Sequence, residues 1–201
     1  MRAGVLLVLG LALVACGGPV EEPPSVRMTV EAAHPIAATE IIDEAPILDI
    51  SEPALAKIDE IRAIIARNSL TRLVRLANGE PSFVSNFSGE AHRIHWDLLR
   101  RTGFDPLAQL GTLLDGPYAT RTVGDEVWYV WPDLAALNPD QLVPERLSFS
   151  DRARLLELIG EQGIARIRDG QGYPGVRTAI AEDGRWLYFV HETEDETSEG
   201  E

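Results

Sequence analysis

Apolar residues recur at helical spacing in the first half of the chain, and they alternate with polar residues in two later segments. After Ser51, isoleucines and leucines lie three or four positions apart up to Asn68, which is typical of a helix with one buried face. Ser51 is a good N-cap, and Pro53 suits the first turn. The same spacing predicts further helices that begin at Ser69, Glu90, Asp105 and Ser148 or Ser150.

Two aromatic segments, 126–131 and 185–191, contain three of the four tryptophans of the chain. Aromatic and β-branched residues bounded by Asp, Gly and Pro are typical of strands. Each segment follows a turn signal and a further β-like stretch, so we predict two hairpins, 118–131 and 176–191. The predicted fold class is α+β, with several short helices packed on a small antiparallel sheet built from these two aromatic-rich hairpins.

Side chains alternate along 127–131, so Tyr129 and Trp131 face one way and Trp128 the other. One face should belong to the core. If helices leave the second face open, it presents Trp128 beside a residue of the neighbouring strand, and exposed aromatic surfaces bind sugars, peptides or proteins. The alternative is that helices cover both faces. The predicted binding surface comprises Trp128, Trp131, Trp186 and Tyr188.

The N-terminus has the organisation of an export signal. Met1-Arg2 is basic, and the apolar run from Val5 to Val14 is interrupted only by Gly10. About ten apolar residues are too few to span a bilayer of roughly 30 Å, which favours a signal peptide over an anchor. The lone cysteine of the chain, Cys16, follows directly.

Residues Leu13 to Cys16 resemble the lipobox of bacterial lipoproteins, in which a peptidase cleaves before a cysteine that becomes lipidated. The resemblance implies that residues 1–15 are removed and that Cys16 is the lipid attachment site. It also implies a membrane-anchored protein of a Gram-negative cell envelope, and Gly17 in place of an aspartate favours the outer membrane, facing the periplasm. The alternative is an ordinary secretory signal with an unrelated cysteine.

The net charge of −14 is concentrated in the flanks of the chain. Seven acidic residues and one arginine lie in 17–50, which also holds five prolines, and six acidic residues with no basic ones lie in 192–201. We therefore predict an acidic, proline-rich tether over 16–50, a single globular domain over 51–191 and an acidic disordered tail over 192–201. Nucleic acid is not an expected partner, because no basic stripe is present.

His92 and His95 are the densest candidates for chemistry, since residues three apart share a helix face. They are weak metal candidates, because a zinc site needs three or four ligands. No nucleophile elbow or phosphate-binding glycine loop is present, and we expect no cofactor. A hydrolase acting on envelope material would have to use His92 or His95 with a carboxylate such as Glu90 or Asp97.

These observations favour a non-enzymatic binding or structural module that is held in the cell envelope by an N-terminal lipid. Its expected partners are the membrane and an envelope protein or glycan. Two alternatives stay open. One is the envelope hydrolase that uses the region of His92 and His95, and the other is a stabilising subunit of an envelope complex, which would show a large apolar surface.

Overall fold

The computed structural model describes residues 49–192, which contain six α-helices and four strands. The helices are α1 (Glu52–Ala66), α2 (Leu70–Gly79), α3 (His92–Arg101), α4 (Pro106–Asp115), α5 (Pro139–Leu142) and α6 (Phe149–Arg168). The strands are β1 (Ala119–Val123), β2 (Glu126–Trp131), β3 (Arg177–Ala181) and β4 (Trp186–Val190). Two short 3₁₀ helices, 133–136 and 144–146, flank α5.

Most of the predicted helix starts are confirmed by side-chain caps. Ser51 Oγ accepts a hydrogen bond from the Ala54 amide of α1 at 3.4 Å, and Ser69 and Asp105 cap α2 and α4 in the same way. Ser148 rather than Ser150 caps α6, since its hydroxyl accepts from the Asp151 amide at 3.1 Å. Helix α3 begins at His92, two residues later than Glu90, and has no side-chain cap.

The strands form one antiparallel sheet in the order β1-β2-β3-β4, which confirms the predicted α+β fold. The two hairpins join because β2 pairs with β3, with Trp128 opposite Ala181 and Val130 opposite Ala179. A bulge interrupts the β3–β4 ladder: Ala179 pairs with Tyr188 and Ile180 with Trp186, which leaves Leu187 as the extra residue.

Helices α1 to α4 cover the first face of the sheet. The side chains that point toward them are almost fully buried: Tyr129, Trp131, Ile180, Trp186 and Phe189. The start of α1 is also tied to the sheet by hydrogen bonds. The Ser51 amide donates to the Tyr129 hydroxyl at 3.0 Å, and that hydroxyl donates to the Asp49 carbonyl at 3.1 Å.

The second face of the sheet is covered only in part. Val130 and Ala179 pack against α6 through Leu155, Ile164 and Ile167, together with α5 and the 133–136 turn. Gly160 has a φ of +65°, so α6 is kinked in its middle rather than continuous. Trp128 and Tyr188 lie on this face but remain half-buried. The face therefore keeps an opening, which the segment 135–139 and the loop 171–173 border.

The predicted signal peptide, the lipidation site Cys16, nearly all of the tether and the C-terminal tail after Glu192 lie outside the described residues. Those assignments stay predictions. Among residues 49–192, none of the helices has the length and hydropathy that would be needed to cross a bilayer.

Candidate functional site

A groove with a volume of about 430 Å³ opens on the second face of the sheet. Aromatic rings and arginines converge there from strands that are adjacent in the sheet and from loops that are distant in sequence. The volume lies within the roughly 300–1,000 Å³ that is usual for small-molecule sites. The groove is lined by Val84, Phe87, Arg121, Trp128, Ala135, Leu137, Pro139, Gln171, Gly172, Tyr173, Arg177, Tyr188, Val190 and Glu192.

Trp128 and Tyr188 form the aromatic floor of the groove. Their ring centroids lie 6.4 Å apart with an interplanar angle of 67°, an edge-to-face arrangement. The indole Nε1–H of Trp128 donates to Glu126 Oε2 at 3.2 Å, which fixes the orientation of the ring. Glu126 also pairs with Arg185, so its carboxylate is held from both sides.

Phe87 stands at the rim of the groove with 61% of its surface exposed. Its loop is held by Asn86, whose Oδ1 accepts from the Glu90 amide and the Ser88 hydroxyl, both at 2.9 Å. Val84 anchors the same loop, because it forms a single parallel bridge with Tyr188 at the edge of the sheet. An apolar ring is thus kept in solvent by an ordered polar loop.

The two arginines of the groove, Arg177 and Arg121, differ in whether a carboxylate pairs with them. The Arg177 guanidinium lies 6.0 Å from the Phe87 ring centroid and pairs with Glu192, which also accepts from Arg166 at 2.7 Å. Glu192 is therefore shared by two arginines. Arg121, on β1 opposite Trp128, makes no ion pair or side-chain hydrogen bond with any other described residue.

Two tyrosines, Tyr173 and Tyr188, line the groove. Burial raises the pKa of Tyr188, and the positive charges of Arg177 and Arg121 oppose that shift. Burial likewise raises the pKa of Tyr173 well above its usual range. Both phenols therefore stay protonated at neutral pH and can donate a hydrogen bond. Within residues 49–192 neither hydroxyl has a hydrogen-bond partner.

The structure corrects part of the predicted binding surface. Trp131 is 2% exposed and Trp186 is 0% exposed, and both lie in the core under α1 to α4. The Trp186 indole N–H donates to Thr178 Oγ1 at 2.9 Å inside that core. These two tryptophans cannot contact a ligand on the surface. Of the predicted four residues, Trp128 and Tyr188 alone reach the groove.

His92 and His95 lie on α3, away from the groove. His92 Nδ1 is 2.7 Å from Ser85 Oγ, and burial lowers the pKa of His92. Ser85 is only 1% exposed, so its hydroxyl is closed off from a substrate, and Asn86 Nδ2 donates to it at 3.0 Å. This serine–histidine contact anchors the 82–91 loop to α3.

His95 is 5% exposed, and its Nε2 has no hydrogen-bond partner among the described residues. Burial lowers its pKa, and the charges of Glu90, His191 and His92 act on it as well. Asp97 pairs with Arg93 at 2.6 Å instead of approaching either histidine. Residues 49–192 contain no group of three His, Cys, Asp or Glu side chains that is arranged to hold a metal ion.

Sequence reasoning missed Phe87, Tyr173, Arg121 and Arg177 as members of the site. Phe87 carried a signal, since it is a large apolar residue in the polar stretch Ser85-Asn86-Phe87-Ser88-Gly89. Such a residue is expected either to be buried or to have a contact role. Tyr173 and Arg177 gave no local signal, because their convergence depends on the pairing of β2 with β3 and on the loop before β3. Arg121 lies opposite Trp128 in the predicted first hairpin, so the register of that hairpin could have placed it.

Comparison with known proteins found no matching family model, no matching curated protein and no matching solved structure.

Proposed function

We propose that this protein is a lipid-anchored binding protein of the bacterial cell envelope and that its ligand occupies the groove. One observation carries the proposal. The half-buried pair Trp128 and Tyr188 forms the floor of a cavity of about 430 Å³ on a sheet face that is otherwise packed. Aromatic surfaces that stay open in a concave site are typical of recognition rather than of core packing.

The chemistry of the lining supports binding over hydrolysis. No histidine, serine or cysteine is among the described residues that line the groove, so it offers no serine or cysteine nucleophile with a histidine base. The groove carboxylate, Glu192, is already neutralised by two arginines. A bound molecule would be held by stacking and hydrogen bonds.

The place of the protein in the cell is proposed from the N-terminal sequence. The lipobox resemblance at 13–16 and the acidic, proline-rich stretch that follows support an anchor at Cys16 with a spacer before α1. More than one acyl chain is needed for stable anchoring, which a lipidated N-terminal cysteine would provide. A Cys16→Ala variant should move from the membrane fraction to the soluble periplasmic fraction. Retention of that variant in membranes would contradict the lipid anchor.

The intrinsic fluorescence of the protein tests the groove directly. Trp96, Trp131 and Trp186 are at most 2% exposed, so acrylamide should quench mainly Trp128. We expect envelope glycans or envelope proteins, added separately to the detergent-solubilised full chain, to lower the quenching constant. Trp128→Phe is the matched control, since its remaining tryptophans are buried before any addition. A quenching constant that stays unchanged with all of the added envelope glycans and envelope proteins would reject the proposed site.

A further inference from the structure

The groove presents hydrogen-bond donors in excess of acceptors. The Tyr188 hydroxyl, which lies near Arg121 and Arg177, has no hydrogen-bond partner among the described residues, and the Arg121 guanidinium has five unused N–H groups. Gln171 Oε1 is occupied by Arg166 at 2.8 Å, which leaves its amide NH₂ as a donor. The groove carboxylate is already paired with two arginines. A complementary ligand therefore has to bring acceptors.

The charge balance of the groove points in the same direction. Arg121 and Arg177 face it together with Glu192, whose charge is shared between Arg177 and Arg166. Of the two groove arginines, Arg121 has no carboxylate partner within residues 49–192, and it lies beside the floor formed by Trp128 and Tyr188. Because the chain as a whole carries a net charge of −14, long-range attraction does not favour anions. Selection of an anion must occur by direct contact with Arg121.

The position of the groove favours a ring-shaped ligand over a peptide strand. Peptides that extend a sheet use the unpaired backbone groups of an edge strand. The groove instead lies on the face of the sheet, where its floor and walls are mainly side chains. The flat rings of Trp128, Tyr188 and Phe87 can stack on the C–H face of a sugar ring, while donors around them reach its oxygens.

We infer that the ligand of the groove is a carboxylate-bearing sugar, stacked on Trp128 with its carboxylate bound by Arg121 and the Tyr188 hydroxyl. The inference rests on the proposed binding function and adds the class of ligand. Charge-assisted hydrogen bonds from arginine to a carboxylate are stronger than bonds between neutral groups. Arg121 would thus give specificity for the acid, and the aromatic floor would give affinity for the ring.

Titration of the solubilised full chain with short oligomers of glucuronic, galacturonic or N-acetylmuramic acid tests this inference. Each acid is compared with its own methyl ester, which keeps the ring and removes the charge. We expect Trp128 to be protected from acrylamide by at least one acid at about tenfold lower concentration than by its ester, which corresponds to about 1.4 kcal/mol. The preference should weaken at high salt.

Three variants assign the effect to residues. Arg121→Gln should abolish the preference for the acid, so that acid and ester protect Trp128 at similar concentrations. Tyr188→Phe keeps the ring and should reduce the preference in part. Arg75→Gln is the matched control, because Arg75 is an exposed arginine of α2 outside the groove.

Outcomes that overturn the inference differ from those that overturn the proposed function. Equal binding of acid and ester rejects the carboxylate, and a preference for the acid that survives in Arg121→Gln rejects Arg121 as the residue that binds it. Protection of Trp128 by an envelope protein or a neutral glycan, with no acid binding, also rejects it but retains the binding groove. Absence of protection by every sugar and every envelope fraction rejects both.

Discussion

Trp128 on β2 and Tyr188 on β4 contact each other across the strand that separates them, with ring centroids 6.4 Å apart. They can meet because β3 presents alanines between them. Ala181 is the partner of Trp128 in the β2–β3 ladder, and Ala179 is the partner of Tyr188 in the β3–β4 ladder. Both alanines are fully buried. Small residues on the middle strand thus create the aromatic floor of the groove.

A larger side chain on β3 should separate the rings of Trp128 and Tyr188. Ala179→Leu inserts three carbon atoms into a packed face, and we expect it to lower the free energy of unfolding by about 1–3 kcal/mol. Acrylamide quenching of Trp128 should increase at the same time. Ala108→Leu, at an exposed position of α4, is the control and should change stability by less than about 0.5 kcal/mol. Denaturant unfolding and quenching measure both effects. A stable Ala179→Leu protein with unchanged quenching would contradict this account.

Periodicity predicted α1 to α4 and α6, because these helices have apolar residues at helical spacing and all of them except α3 begin at a side-chain cap. The alternation in β2 correctly placed Trp128 opposite in direction to Tyr129 and Trp131. Alternation did not give the correct facing of the side chains in β4. In a regular strand Trp186 and Tyr188 would share a face, but the bulge at Leu187 turns Trp186 into the helix-side core and leaves Tyr188 in the groove.

The walls of the groove were beyond the reach of local sequence patterns. Phe87 and Tyr173 come from two separate segments, and they reach the side of Trp128 and Arg121 only because the two hairpins pair through β2 and β3. Pairing between hairpins is a long-range choice that no short motif encodes. His92 and His95, in contrast, form a visible pattern at helical spacing. In the structure His92 holds the 82–91 loop and His95 is packed in the interior.

Thr178 is expected to be important for the helix-side core. Its buried hydroxyl accepts from the Trp186 indole N–H at 2.9 Å and donates to the Tyr188 carbonyl at 2.7 Å. Thr178→Val removes the hydroxyl and leaves the indole N–H buried without its partner, so stability should fall by about 1–3 kcal/mol. Thr122→Val, at an exposed position of β1, should be nearly neutral. Similar losses in both variants, measured by urea unfolding, would count against a role for this bond.

Gly184 is required by its backbone conformation and by its neighbour. Its φ is +88°, and a Cβ at this position would lie 2.8 Å from the Pro53 carbonyl oxygen at the start of α1. Gly124, in the other hairpin turn, has a φ of +62° and nothing within 4 Å of such a Cβ.

Gly124→Ala should therefore cost only the left-handed strain of about 1–2 kcal/mol, and Gly184→Ala should cost clearly more because α1 must also shift. Thermal unfolding of the two variants gives the comparison. Equal losses would mean that the contact with Pro53 relaxes freely.

Stability should decline as the pH falls below neutrality, because burial lowers the pKa of His92, His95 and His191. Above the unfolded value of about 6.5, each histidine is neutral in both states and contributes no pH dependence. Below it the unfolded chain takes up protons first, so the free energy of unfolding falls until the pH reaches the lower folded pKa values. His95 Nε2 and His191 Nδ1 are buried without partners among the described residues, so protonation there is strongly opposed.

Denaturant unfolding of the full chain at a series of pH values from 7.5 to 5 measures this dependence. Glutamine at position 95 cannot titrate, so His95→Gln should show a shallower dependence of the free energy of unfolding on pH than the native chain. The double variant with His191→Gln should show a shallower dependence still. Both expectations hold whatever the stability of each variant at pH 7.5. The change of slope is the informative quantity, because a loss of packing lowers the free energy of unfolding by the same amount at every pH. A native chain whose free energy of unfolding is constant from pH 7.5 to 5 would show that these histidines gain protons as readily in the folded as in the unfolded state.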